Sequence, residues 1–302
     1  MKIIPIAFDS IGTRGMATYV ETKDVKIFID PGVSLAPIRY SLPPHPIELK
    51  RLDEHWKEIV KLASKSDVLI ITHYHYDHHN PWENLEIYKD KTVLIKHPTE
   101  NINYSQKGRA AFFLEQIKNK PKKLEYADGK KYQFGKTKLE FSKAVFHGTN
   151  PRLGFVNEVL VDDGDFKFIH TSDVEGGSVP NQTEFILKQK PNIVFLDGPL
   201  SYMIYRFGVE ALNRSFQNMI RIIKETPIET FVVDHHFLRD LKYNERLKSV
   251  YEVANEKKCK LITAAEFLGK EVETLEAHRK QLYKESHSEK GQSTKLRKIL
   301  EE

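Results

Sequence analysis

Residues 67–79 read Asp67-Val68-Leu69-Ile70-Ile71-Thr72-His73-Tyr74-His75-Tyr76-Asp77-His78-His79. Val68 to Ile71 is a short continuous apolar run, the pattern of a strand buried on both faces. Directly beyond it stand four histidines and an aspartate. Side chains leaving a loop at spacings of two and three can converge on metal ions without helical geometry. Imidazole nitrogen and carboxylate oxygen are donors that suit zinc, and also iron or manganese.

Working outward, the chain before this stretch opens with short strands, Ile3 to Phe8, Met16 to Glu21 and Val25 to Ile29, the last ending at Asp30-Pro31-Gly32. After a proline-rich loop, Leu49, Leu52, Trp56, Ile59, Val60 and Ala63 recur at helical spacing, which predicts an amphipathic helix over 47–64. Beyond the cluster, Leu139 to Phe146 alternates and ends at His147. Glu158 to Asp162 and Phe166 to Ile169 read as a hairpin around Asp163-Gly164, followed by His170-Thr171-Ser172-Asp173. Ile193 to Leu196 is a further buried strand that ends at Asp197-Gly198. Helices are expected over about 209–224 and 240–257, separated by the strand Phe231-Val232-Val233, which stops at Asp234-His235-His236. Leu261 to Thr263 is a late strand, and the tail beyond Gly269 is helical in composition. Histidines and aspartates therefore recur at strand ends, where loops on a rigid scaffold carry chemistry.

A cluster, then a histidine, an aspartate and a histidine, in that order, resembles the metallo-β-lactamase superfamily, whose signature is His-x-His-x-Asp-His followed by distant His, Asp and His ligands. The resemblance covers roughly residues 3–268 and includes Ile29-Asp30-Pro31-Gly32; more narrowly, it is to an archaeal family of predicted metal-dependent hydrolases. It implies an α/β (α+β) chain folded as a four-layer αββα sandwich with two mixed β-sheets. The domain would span 1–269, with 270–302 a C-terminal helical extension of it. It further implies two divalent ions, zinc by default with manganese or iron as alternatives. His73, His75 and His147 would hold the first, Asp77, His78 and His235 the second, and Asp173 would bridge them. His235 is preferred over His236 because a similar stretch in tRNA 3′-processing nucleases places a ligand histidine four residues before an arginine, here Arg239. Asp30 and Asp197 are expected to order a ligand or a strand end.

The implied chemistry is hydrolysis. Two divalent ions about 3.5–4 Å apart acidify a shared water and polarise the oxygen under attack. Asp77 and His79 are the residues expected in catalysis beside the ions, His79, which has no counterpart in the signature, by orienting a ligand or contacting substrate. His236, Lys96, Asn103 and Ser105 are expected at the substrate. Between 101 and 140 ten Lys or Arg face four acids, which favours a phosphodiester; a small ester, thioester or lactone is the alternative. Oxygen-reducing relatives commonly have Glu where this chain has His75 and carry a flavin domain, which argues against a di-iron redox protein. A non-catalytic metal-binding scaffold is disfavoured because all seven ligand positions are filled.

Bulk composition narrows the setting. The 302 residues are 40% hydrophobic and 29% charged, with a formal net charge of +5. That is enough for a packed core, and no run approaches the roughly 20 apolar residues of a membrane span. Cys259 is the only cysteine, so no intrachain disulfide forms, and a cytoplasmic location is expected. The expected partner is a small-molecule or phosphodiester substrate. Nucleic acid stays an open alternative, no membrane is expected, and the oligomeric state is left open.

Overall fold

The structure is a computed structural model that describes residues 1–286. Its strands follow in chain order: β1 Lys2–Ala7, β2 Ala17–Glu21, β3 Lys26–Ile29, β4 Val68–Ile71, β5 Thr92–Ile95, β6 Lys123–Tyr126, β7 Lys131–Phe134, β8 Thr137–Phe141, β9 Val145–Phe146, β10 Phe155–Val156, β11 Val159–Asp162, β12 Lys167–His170, β13 Ile193–Asp197, β14 Thr230–Asp234 and β15 Lys260–Ile262. Two large sheets result. One runs β1-β2-β3-β4-β5-β6, the other β15-β14-β13-β12-β11-β8-β7, and β9 pairs with β10 separately. Both are mixed. β1 to β3 are antiparallel while β3 to β6 are parallel. β7, β8, β11 and β12 are antiparallel while β12 to β15 are parallel.

The side-chain period of two sorts each strand between two cores. Val68 and Ile70 point between the sheets, where they join Ile27, Ile29 and Leu94 against Phe141, Val159, Phe168, Phe195 and Val232. Leu69 and Ile71 point the other way, onto Ile59 and Ala63 of helix α1 (Pro46–Lys65) and Ala110 and Phe113 of helix α2 (Tyr104–Gln116). On the far side Ile169, Val194, Leu196, Phe231 and Val233 meet Ile186, Met219, Ile222 and Val250 from helices Pro180–Gln189, Val209–Glu225 and Lys248–Glu256. This is the four-layer αββα sandwich with two mixed sheets that the resemblance implied.

Several expected elements differ in detail. The alternation over 139–146 is broken into β8 and β9, because Ser142 turns its backbone onto Glu158 and its hydroxyl onto the Glu158 N–H. The helix expected over 240–257 begins only at Tyr243 and is interrupted at Leu247; the Asp240 carboxylate accepts from the Lys242 N–H and from Ser201, which caps a turn there. β5, β6, β7, β10, α2 and helix Pro180–Gln189 lie outside the elements that the sequence pattern predicts.

Residues 275–286 form a helix that lies on the body. Arg279 is fully buried and donates to both oxygens of Glu48 at 2.8 Å, while Glu276 pairs with Arg14. The rest of the expected helical tail, 287–302, lies outside the described residues. No helix among the described residues is long and apolar enough to cross a membrane.

Candidate metal centre

The parallel strands of the two sheets present their C-terminal ends at one edge, and the reactive residues sit on the turns that leave it. Three of these turns pass through a non-glycine residue with positive φ: Asp30 after β3 (53°), Ser172 after β12 (56°) and His235 after β14 (56°). Such turns are strained, and they occur where a side chain must be aimed. Gly32 has a different purpose. A Cβ there would lie 2.2 Å from the His79 nitrogen, so glycine lets the β3 loop press backbone to backbone against the histidine loop.

The structure gathers His73, His75, His147 and Asp173 into one group, with their donor atoms within 4.8 Å of one another, and Asp77, His78 and His235 into another. Asp173 lies between them. Its Oδ2 is 3.1 Å from His147 Nε2 and 3.5 Å from His73 Nε2, and its Oδ1 is 2.9 Å from His78 Nε2 and 3.5 Å from His235 Nε2. His235 Nε2 is also 3.7 Å from Asp77 Oδ2. The Nε2 atoms of His73, His78 and His235 and Asp173 Oδ1 are buried with no hydrogen-bond partner among the described residues. Buried polar atoms without partners are costly, and a shell of lone pairs converging without an interposed donor fits cations.

The opposite ring nitrogens are held from outside. His78 Nδ1 meets Asp30 Oδ2 at 2.8 Å, and Asp30 also accepts from Thr72 N–H and hydroxyl. His235 Nδ1 meets Asp9 Oδ2 at 2.8 Å, with Arg239 anchoring the other Asp9 oxygen. His73 Nδ1 meets Ser172 Oγ at 3.2 Å; His147 Nδ1 faces Glu175 at 3.4 Å without a hydrogen bond, so its ring is not held in this way. Such partners fix the tautomer and aim Nε2 inward. Asp30 thus orders a histidine, though it also falls within reach of His73 and His78 as a donor group. Asp197 does the same for His236, whose Nδ1 it meets at 3.0 Å, and it ties down Glu175 N–H. His236 lies near Asp173 and His235, with its ring 5.9 Å from that of His147.

The buried carboxylates and imidazoles shift one another's proton affinity strongly. Burial alone would raise the Asp173 and Asp77 carboxyls, but the facing histidines, His78 foremost, pull both below the usual carboxylate range. Burial would lower His147 and His235, yet the carboxylates against them, Asp173 chief among them, raise each to about 10. Burial holds His73 at about 4.

Two expectations need correction and a third changes in kind. His79 does not join the donor groups. Its Nδ1 meets the His75 carbonyl at 3.0 Å, and its ring packs among Tyr74, Tyr76 and Phe113, so it is a positioning residue for the loop and not a catalytic one. Lys96 is fully buried. Its ammonium binds Asp128 at 2.6 Å and the Glu100 carbonyl, so the cost of burying the charge is met internally and none of it faces a substrate. Asn103 caps α2 through Gln106 N–H and reaches the Arg152 carbonyl, which makes it a brace between α2 and the His147 loop. Ser105 is exposed on the first turn of α2.

Sequence reasoning missed the mouth of the site. A small cavity of about 70 Å³ beside His147 and Glu175 is lined by Thr149, Asn150, Arg152 and Arg206 over Leu200 and Phe207. Both arginines are exposed, and neither guanidinium meets a carboxylate among the described residues. Their only signal in the sequence is proximity, Arg152 lying five residues beyond His147. Asp9, which holds His235, gave no signal.

No family profile matches the chain. It is 53% identical over 284 residues, 94% of each chain, to a UPF0282 protein of Korarchaeum cryptofilum. Among solved structures it is similar to an isothiocyanate hydrolase from Delia radicum gut bacteria, with TM-score 0.54, 18% identity and coverage of 86% of this chain and 95% of that one. It is also similar to a "possible metal-dependent hydrolase" from Veillonella parvula, with TM-score 0.52, 16% identity and coverage of 83% and 94%.

Proposed function

The chain belongs to the UPF0282 family and has the metallo-β-lactamase fold, and from that premise we propose that it is a dinuclear metal-dependent hydrolase acting on a phosphodiester. The division of Asp173 carries the two-metal reading. Each of its oxygens faces a different set of imidazole Nε2 atoms. His73, His75 and His147 would hold one ion and Asp77, His78 and His235 the other, with Asp173 shared. When bound, two divalent ions supply an acidified water and neutralise charge on the oxygens of an in-line displacement.

This chain's own residues do the rest. Asp30, Asp9 and Ser172 fix which nitrogen of each histidine points inward. Arg152 and Arg206 at the mouth supply cationic donors for the nonbridging oxygens of a phosphate, and guanidinium geometry suits bidentate recognition of that group. Leu200 and Phe207 close the floor of that cavity against water. His236, turned by Asp197 and lying beside His147 and Asp173, would meet a substrate bound at the centre. The likeness to hydrolases supports the reaction class; the two unpaired arginines favour phosphodiester over ester, thioester or lactone. Hydrolysis of bis-p-nitrophenyl phosphate, set beside a lactone and thioester panel with zinc, manganese and iron, tests it. Preferred phosphodiester cleavage, lost in Arg152→Ala/Arg206→Ala, is expected; turnover confined to the lactone or thioester would reassign the substrate.

A further inference from the structure

The outer face of the histidine loop carries an unusual surface. Tyr76 stands between His75 and Asp77, and its ring is 4.5 Å from that of Trp82, which is 56% exposed. Trp82 in turn lies 6.4 Å from Phe112 on α2, which is 40% exposed. Tyr104 at the start of α2 is 94% exposed. Large aromatic rings in a contiguous exposed group mark a binding surface more often than chance packing. Cations are interleaved with them. Arg109 lies over the Tyr76 ring at 4.6 Å, and Lys107 is exposed beside it. Neither side chain meets a carboxylate among the described residues, whereas Lys118, Lys120, Lys123 and Lys131 of the same basic segment are paired with acids. Tyr76, Tyr104, Ser105, Lys107, Arg109 and Phe112 line a groove of about 460 Å³.

Aromatic faces alternating with unpaired cations suit a chain that offers flat rings and phosphates in turn. Stacking is tolerant of base identity because every base has a π-face, and the cations track the backbone. Tyr76, which lines the groove, stands in the metal loop between His75 and Asp77, and the unpaired Lys107 and Arg109 complement a phosphate backbone. We propose that this groove is a stacking platform for the bases of a single-stranded nucleic acid, an inference that rests on the phosphodiester reading above. The Ser105 hydroxyl, on the exposed first turn of α2, is placed to meet the same strand.

Binding of the full-length, metal-loaded chain to a fluorescent phosphorothioate octathymidylate, against an abasic phosphorothioate of equal length, tests this by anisotropy. The base-bearing strand should bind at least about tenfold more tightly, and Trp82→Ala and Phe112→Ala should each remove about tenfold of that affinity while leaving the abasic strand unchanged. Lys107→Ala and Arg109→Ala should weaken both strands alike and flatten the dependence on salt. Equal affinity for the two strands, or indifference to Trp82→Ala, overturns the proposal. So does a homodimer in sedimentation that Trp82→Ala dissolves, if strand binding shows no base preference. Base-dependent binding without phosphodiester cleavage upholds the platform and removes the hydrolase reading; cleavage without base-dependent binding does the reverse.

Discussion

The two sheets furnish the metal centre in opposite ways. The first delivers four of the seven donors from a single loop, His73 to His78, directly after β4. The second delivers one residue at a time, Asp173 after β12 and His235 after β14, and His147 follows β9 of the separate β9–β10 pair. Yet the supporting contacts cross between them: His78 of the first sheet is fixed by Asp30 of its own sheet and faces Asp173 of the other, while His235 is fixed by Asp9, which follows β1. The centre is therefore a seam and not a motif. A contiguous signature marks where it lies, but its geometry depends on residues that the sheets bring together from as far as 226 positions apart.

The largest effect that would sharpen this contrast is at the one residue shared by both donor sets. Asp173→Ala should lose both ions and lower turnover by more than about a hundredfold, beyond the usual loss for an outer contact. His75→Ala should lose chiefly one. Equal metal loss in the two variants, measured per chain, would break the seam account. Gly32→Ala comes next. Its Cβ would collide with the His78–His79 backbone, so the variant should melt at lower temperature and bind less metal, although it removes no donor.

The carboxylates behind the histidines test whether the two halves are equivalent. Asp30→Asn and Asp9→Asn act on different histidines of the same donor set, and each should weaken metal affinity about 10–100-fold, as read by competition with a chelating dye. A loss at Asp30 with none at Asp9 would mean that His235 is aimed by its strained backbone alone.

The smallest effect is structural and lies away from the seam. Glu158 is fully buried, and neither carboxyl oxygen has a partner among the described residues. Burial raises it well above the ordinary 4.5. Between pH 4.5 and that raised value the unfolded chain ionises while the folded one stays protonated, so stability falls as pH rises through this window. Glu158→Gln should remove that slope, because the amide stays neutral at every pH while keeping the size and burial of the side chain. An unchanged pH dependence of Tm would show that the carboxyl is satisfied.

The same contrast explains what could be read in advance. The β4 run and the histidine spacing are local patterns, so the fold and the first donor set were legible. The single donors His147, Asp173 and His235 were legible because each follows a strand. Asp9 carries no such mark: in Phe8-Asp9-Ser10-Ile11 it resembles any turn residue, and only the packing of the turn after β1 against the turn after β14 gives it a histidine and Arg239. Lys96 misled for the converse reason, since a lysine near a site suggests substrate until Asp128 is seen to neutralise it. Of the two roles expected of His79, orienting a ligand or contacting substrate, its contact with the His75 carbonyl fits the first.

The central claim is a two-ion centre split across Asp173. Metal content per chain, measured by plasma mass spectrometry on protein purified without chelator or nickel affinity, tests it most directly. The account predicts about two equivalents, falling sharply in Asp77→Ala. One equivalent or none after zinc, manganese or iron is supplied, or a content unchanged in Asp77→Ala, would contradict it.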